Sequence, residues 1–209
     1  MCIRDSAEAL WEHSQAARSA GQMEDAGALL EKAIDARGPV LCADLKAGRD
    51  RVIEMRRALV ALRVDGDKAQ AARDKIKLAS DLENRGEYEE ALVLYEEAVA
   101  GFIEVHGHDH PDVAASYSNI GCVYEAQGRY QEALDYYQKA LKIDQEVHGS
   151  DHLDVANSKY NIACVHESQG NLQEAKALFL ECEKIYAKVF GDEHEETQDA
   201  RERAATVGE

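Results

Sequence analysis

The chain has 209 residues, 45% of them apolar, with two prolines and 14 glycines, which is enough apolar mass for a sizeable core and suits a nearly all-helical protein. Its net charge of −17 argues against nucleic acid and anionic membrane as partners. No apolar run approaches the roughly 20 residues of a membrane span and no secretory signal is visible, so a cytoplasmic protein is expected.

Met1–Ser6 reads MCIRDS, which is what a sequencing-library adapter encodes in frame, and these six residues are expected to be an artefact. Residues 7–37 are expected to form a degenerate helical hairpin. There Gly21, Met23, Ala26, Leu30 and Ala33 match Gly86, Tyr88, Ala91, Tyr95 and Ala98 at a constant offset. Gly38–Pro39 should end it. Residues 38–71 are a basic connecting segment with one predicted helix over 40–63. Leu41, Leu45, Val52, Met55, Leu59 and Leu62 mark its apolar side, and Asp65–Gly66 breaks it. Residues 46–77 carry ten Lys/Arg against five Asp/Glu, whereas 78–209 carry ten against 28, a charge of −18. A basic helical segment thus precedes an acidic array.

That array repeats at a spacing of 42 residues. Gly86, Gly128 and Gly170 are equally spaced, as are Ala91, Ala133 and Ala175, then Tyr95, Tyr137 and Phe179, then His110, His152 and His194. Periods of this size mean stacked supersecondary units. Three units are read at 72–113, 114–155 and 156–197, and 198–209 reads as a short polar capping helix. In the middle unit, Ala114, Tyr117, Ile120, Gly121 and Tyr124 lie on one helical face. Gly128 ends that helix in the left-handed conformation. Tyr130, Ala133, Leu134, Tyr137, Ala140, Leu141 and Ile143 form the stripe of a second helix. A turn this short makes the pair antiparallel, with the small Gly121 and Ala133 allowing close approach. The third unit is degraded, with Lys159, His166 and Leu172 at places that hold tyrosine in the second. In the linkers, Pro111 suits a first helical turn, as do Asp112 and Asp154 facing the helix dipole.

Tyr117, Ile120, Gly121, Tyr124, Gly128, Tyr130, Ala133, Tyr137 and Ala140 together resemble the tetratricopeptide (TPR) motif. With linkers GHDHPDVA at 107–114 and GSDHLDVA at 149–156, the longer period resembles the kinesin light chain type of TPR. The resemblance implies an all-α protein: a right-handed α-solenoid of antiparallel helix pairs, the TPR superhelix. It also implies a non-catalytic adaptor that takes a peptide or helix in the groove lined by the first helix of each unit. On that groove fall Arg73 and Lys77, then Ser118, Asn119, Cys122 and Glu125, then Tyr160, Asn161, Cys164 and Glu167. An asparagine offers donors and an acceptor together and can hold an extended backbone, which makes Asn119 and Asn161 the sharpest candidates. The alternative is that they bond within the stack. A carboxylate clamp needs several cations, and only Arg73 and Lys77 are basic here. The kinesin light chain type is known for acidic cargo peptides, but Glu125 and Glu167 point to a neutral or basic peptide.

Other chemistry finds little support. His106, His108, His110, His148 and His152 invite a metal, yet recurrence in register argues for a turn-packing role, and no metal or cofactor is expected. Cys122 and Cys164 recur without a visible cause of a lowered pKa. Glu125 and Glu167 read as a solvated helix face. No enzyme is expected. Two further readings stay open: an interaction arm of a larger motor light chain-like or signalling protein, and weak self-association through 40–77.

Overall fold

Ten helices and no strand make up the regular structure of the described residues, as the helical spacing of the apolar positions requires. The computed structural model describes residues 3–19, 23–37, 45–62 and 67–207. Met1, Cys2, Gly21, Gly38–Pro39, Leu41, Cys42 and Asp65–Gly66 lie outside the described residues, as do the side chains of Met23, Leu45 and Leu62. The chain divides into two compact units, Met1–Gly101 and Phe102–Glu209.

The first unit holds α1 (Ile3–Ser19), α2 (Met23–Arg37), α3 (Leu45–Leu62), α4 (Lys68–Glu83) and most of α5 (Tyr88–His106). α1 packs on α2, α2 on α3 and α3 on α4. Leu30, Ala33, Ile34, Met55 and Leu59 form one buried cluster, with Leu10 and Trp11 against it. Ile53 is also buried, although it lies off the apolar stripe read from the sequence. With partners on two sides, α3 needs a wider apolar face than a helix docked on one. α3 also carries cations to acids of α4 and α5. Arg56 Nε lies 2.7 Å from Asp81 Oδ2, and Arg57 Nη2 donates to both carboxylate oxygens of Glu90 at 3.0 and 2.9 Å. Burial raises the pKa of Asp81, and Arg56 opposes that shift. The basic segment therefore meets the acidic array within its own chain. α4 and α5 run antiparallel, joined by Tyr95 Oη donating to Glu83 at 2.9 Å and by Lys75–Glu97 at 2.8 Å.

The second unit continues with α6 (Pro111–Ala126), α7 (Tyr130–His148), α8 (Leu153–Ser168), α9 (Leu172–Phe190) and α10 (Glu195–Thr206). Each helix packs on the next: α6 on α7, α7 on α8, α8 on α9, α9 on α10. This is the all-α solenoid expected. The helix pairs begin at Pro111 and Leu153, so the phase of the repeat sits slightly ahead of 114 and 156. Within the α6–α7 turn, Gly128 has φ +72°. The Gly128 N–H bonds to the Glu125 carbonyl and the Arg129 N–H to the Tyr124 carbonyl, both at 2.8 Å. These two bonds satisfy the last carbonyls of α6, a closure that requires the left-handed residue glycine supplies. Gly86 and Gly170 close α4 and α8 in the same way.

α10 falls where a short polar capping helix is expected, at 198–209. It starts at Glu195, and Thr197, Ala200, Ala204 and Val207 are buried. These four continue the 42-residue register of Val155, Ser158, Ile162 and Val165. α10 is therefore packed as the first helix of a further pair. Val123, Val165 and Val207 carried that signal, which the charged residues between them obscured.

The recurring linker histidines act as helix caps. His110 Nδ1 accepts the Asp112 N–H at 3.1 Å, and His152 Nδ1 accepts the Asp154 N–H at 3.3 Å. Each ring stacks on a histidine of the preceding helix: His106–His110 at 4.1 Å and His148–His152 at 4.2 Å between centroids. His110→Ala should therefore cost about 1 kcal/mol in urea unfolding. His110→Asn should recover most of it, because asparagine caps well; equal losses in both variants would assign the cost to the stack.

Candidate functional site

The side chains singled out in the sequence separate between the two units. Arg73 and Lys77 are exposed on α4 in the first. The rest lie on α6 and α8 in the second, where α10 joins them. Cys164 marks this shared face: Glu125 of α6 and Asp199 of α10 both act on its thiol.

Glu125 and Glu167 are not a free solvated row. Tyr137 Oη donates to Glu125 Oε2 at 2.8 Å and lies 3.2 Å from Cys122 Sγ. This repeats Tyr95 with Glu83, one period earlier. In the last pair Phe179 stands in the tyrosine's register and has no hydroxyl. Glu167 instead takes Arg203 Nη1 at 2.8 Å. Arg203 also lies 3.5 Å from Cys164 Sγ and over the Tyr160 ring at 5.5 Å. Tyr160 bonds to Asp199 and packs edge-on against Phe179. Arg203 was missed in the sequence, although it shares the register of Lys77, Asn119 and Asn161.

Asn119 and Asn161 have a different character. Both are half-buried, one period apart on α6 and α8, and neither side chain hydrogen-bonds to another described residue. Ser118 beside Asn119 is half-buried as well. The alternative that these amides are consumed within the stack is therefore not what the structure contains. Asn157 serves that role instead, accepting from Tyr186 Oη at 2.9 Å.

The small residues named from the repeat sit where helices meet. Ala91, Ala133 and Ala175 are fully buried, and so is Gly121, against the Tyr137 ring.

Nucleophile chemistry is poorly served. Burial is the main reason the Cys164 thiol is pushed up to about 11 and the Cys182 thiol up to about 12, so neither supplies a thiolate near neutrality. Two sets bring metal-ligating atoms within 4.8 Å of one another: His106, His110 and Asp112, and His148, His152 and Asp154. In each, one Nδ1 already caps a helix, and both histidine nitrogens lie near one oxygen of the aspartate, at 3.8 Å in the first set and 3.4 and 3.3 Å in the second. The third copy keeps the stack with Phe190 on His194, centroids 4.4 Å apart. Phenylalanine cannot ligate, so what recurs is the stacking. No described helix is long and apolar enough to cross a membrane.

The family model for the tetratricopeptide repeat matches residues 67–146 and 123–188. No curated protein matches the sequence. Among solved structures, the chain is similar to BtubC (BKLC) from P. vanneervenii, with 14% identity over 99% of this chain and 91% of that one and a TM-score of 0.64. It is also similar to a putative kinesin light chain from Podosopora anserina with nearly identical TPR-like repeats, at 22% identity over 88% of this chain and 96% of that one, TM-score 0.58. MamA RS-1 follows at 16% identity over 90% and 98%, TM-score 0.54. At these identities the likeness is one of fold.

Proposed function

Because the chain belongs to the tetratricopeptide repeat family, whose repeats generally mediate protein–protein interaction and are generally non-catalytic, we propose that it is an adaptor holding a peptide of another protein along α6 and α8. The observation that carries this reading is the pair of amides at Asn119 and Asn161 that have no hydrogen-bond partner among the described residues. A half-buried amide without a partner among the described residues favours one from outside. Two such amides one repeat apart match an extended backbone, whose N–H and C=O groups recur along its length. Rigid stacking of the helices holds them in place before binding, which lowers the entropy lost on association. Ser118, Tyr160, Cys122 and Cys164 flank the track. Glu125 and Glu167 lie beside it with their charge partly met by Tyr137 and Arg203. The self-association reading loses ground, since Arg56, Arg57 and Lys75 already meet acids in cis.

A random-sequence peptide library displayed on phage tests the proposal. Binders selected on the intact chain should lose roughly tenfold or more in affinity when Asn119→Ala and Asn161→Ala are combined, at about 1 kcal/mol per lost hydrogen bond. The thermal unfolding curve should not move. Undiminished binding by the double variant removes this site.

A further inference from the structure

Beyond the two amides, the second unit contains a cleft of about 770 Å³ between α8, α9 and α10. Tyr160 and Tyr186 line it, and the rest of its lining is polar, chiefly Glu195, Glu196, Asp199 and Glu202 of α10. Glu193 joins from the linker and takes a bond from Gln198 at 3.3 Å. Among the described residues no lysine or arginine lines the cleft. The nearest arginines point elsewhere: Arg203 Nη1 is held by Glu167, and Arg201 is held by Glu183 at 2.7 Å and Asp192 at 3.1 Å. Asp199 is engaged by Tyr160, with Arg203 Nε 3.6 Å away. Glu196 is engaged by His194. Glu195 and Glu202 meet no cation among the described residues.

Helix chemistry explains only part of this. Glu195 and Glu196 sit in the first turn of α10, where the dipole favours a carboxylate. Glu202 lies near the other end, where the dipole disfavours one, yet Glu195, Asp199 and Glu202 follow at helical spacing along one face. Burial foremost, then Cys182, and then Glu196 and Asp199 raise the pKa of Tyr186, which lines the cleft. The half-buried Tyr160 ring beside a row of carboxylates forms a place for a cation with a flat or apolar stem. Arg203, over the Tyr160 and Phe179 rings at 5.5 and 5.6 Å, already makes such a contact within the chain.

We propose that this cleft receives an arginine or lysine side chain of the bound peptide, so that the partner is a basic segment whose cation enters between Tyr160 and the Glu195–Glu202 face of α10. This rests on the reading that α6 and α8 hold a peptide backbone, and it adds the partner's chemistry. Charge complementarity identifies the occupant, because the array around the cleft is acidic and no cation among the described residues lines it.

The phage-selected peptides provide the test. Those that bind the intact chain should carry Arg or Lys at one fixed position, and exchanging that residue for Gln in a synthetic copy should weaken binding about tenfold by fluorescence anisotropy. The double variant Glu195→Gln and Glu202→Gln removes the two carboxylates without a cation partner. It should unfold normally, bind the Arg and Gln copies equally, and lose most of the salt dependence of binding. Binders that require Asn119 and Asn161 but show no basic preference would overturn the cleft assignment and leave the backbone track standing. If the intact chain selects no binder at all, the track falls and the cleft assignment with it.

Discussion

Gly121→Ala should lower stability, against the gain of about 1 kcal/mol that alanine brings to a helix interior over glycine. A Cβ built at Gly121 would lie 2.6 Å from Tyr137 Cε1 and 2.7 Å from Cδ1, too close for either atom to stay. The tyrosine has little freedom to retreat. Its ring is 1% exposed, and its hydroxyl is held by Glu125 and Cys122. Overpacking of this kind costs about 1–3 kcal/mol, so the net change should be a loss, read as a lower urea midpoint with an unchanged slope. The neighbouring pairs define the alternative, since Ala79 and Ala163 hold this register opposite Tyr95 and Phe179. Those positions carry a Cβ. Tyr137→Leu trims the clashing ring atoms, so in a double-mutant cycle the Gly121→Ala penalty should shrink on that background. Additive effects, or a Gly121→Ala chain more stable than its parent, would mean that the interface has slack.

Much of this interface was legible in the sequence, because a 42-residue period places equivalent residues in equivalent environments. Glycine at the turns, alanine at the crossings and aromatic residues beside them follow from sterics at each repeat. The site was legible only in part. Asn119 and Asn161 were found from register alone, but register cannot tell whether an amide is consumed. Asn157, one turn before Asn161, is consumed by Tyr186. Glu125 and Glu167 misled for a related reason: their partners, Tyr137 and Arg203, lie 12 and 36 residues away. Such pairings are made by packing, and composition gives no hint of them. The histidine linkers were recognised as recurrent, but their capping role needed the positions of Nδ1 and of the backbone N–H. α10 was underestimated because its core positions hold Thr197, Ala200 and Ala204, which are too small to stand out as an apolar stripe.

Ser158→Ala should be among the most damaging single changes in the second unit, because it strands a buried charge. Ser158 Oγ donates to Asp144 Oδ2 at 2.7 Å, with Asp144 6% and Ser158 3% exposed. The slot occupied by Asp144 holds Phe102 one period earlier and Tyr186 one period later, so a carboxylate sits where the fold otherwise stores a ring. Burial raises its pKa, and Ser158, His148 and His152 oppose that shift while Asp154 adds to it. Removing the hydroxyl takes away the one hydrogen-bond donor that this carboxylate has among the described residues, at a cost of about 1–3 kcal/mol or more for an ionised group. The sign with pH follows from the raised folded-state pKa. The group's stabilising contribution is complete below its unfolded pKa and is lost as pH rises through the folded value. Ser158→Ala raises the folded value further, so its deficit should be greatest at neutral pH and should shrink on acidification through the raised carboxyl range. Adding Asp144→Leu removes the charge together with its missing donor, and the double variant should regain most of the stability at neutral pH and lose this pH dependence. A deficit in Ser158→Ala that stayed constant with pH would show that Asp144 is already protonated in the folded chain at neutrality, with Ser158 contributing only an ordinary neutral hydrogen bond.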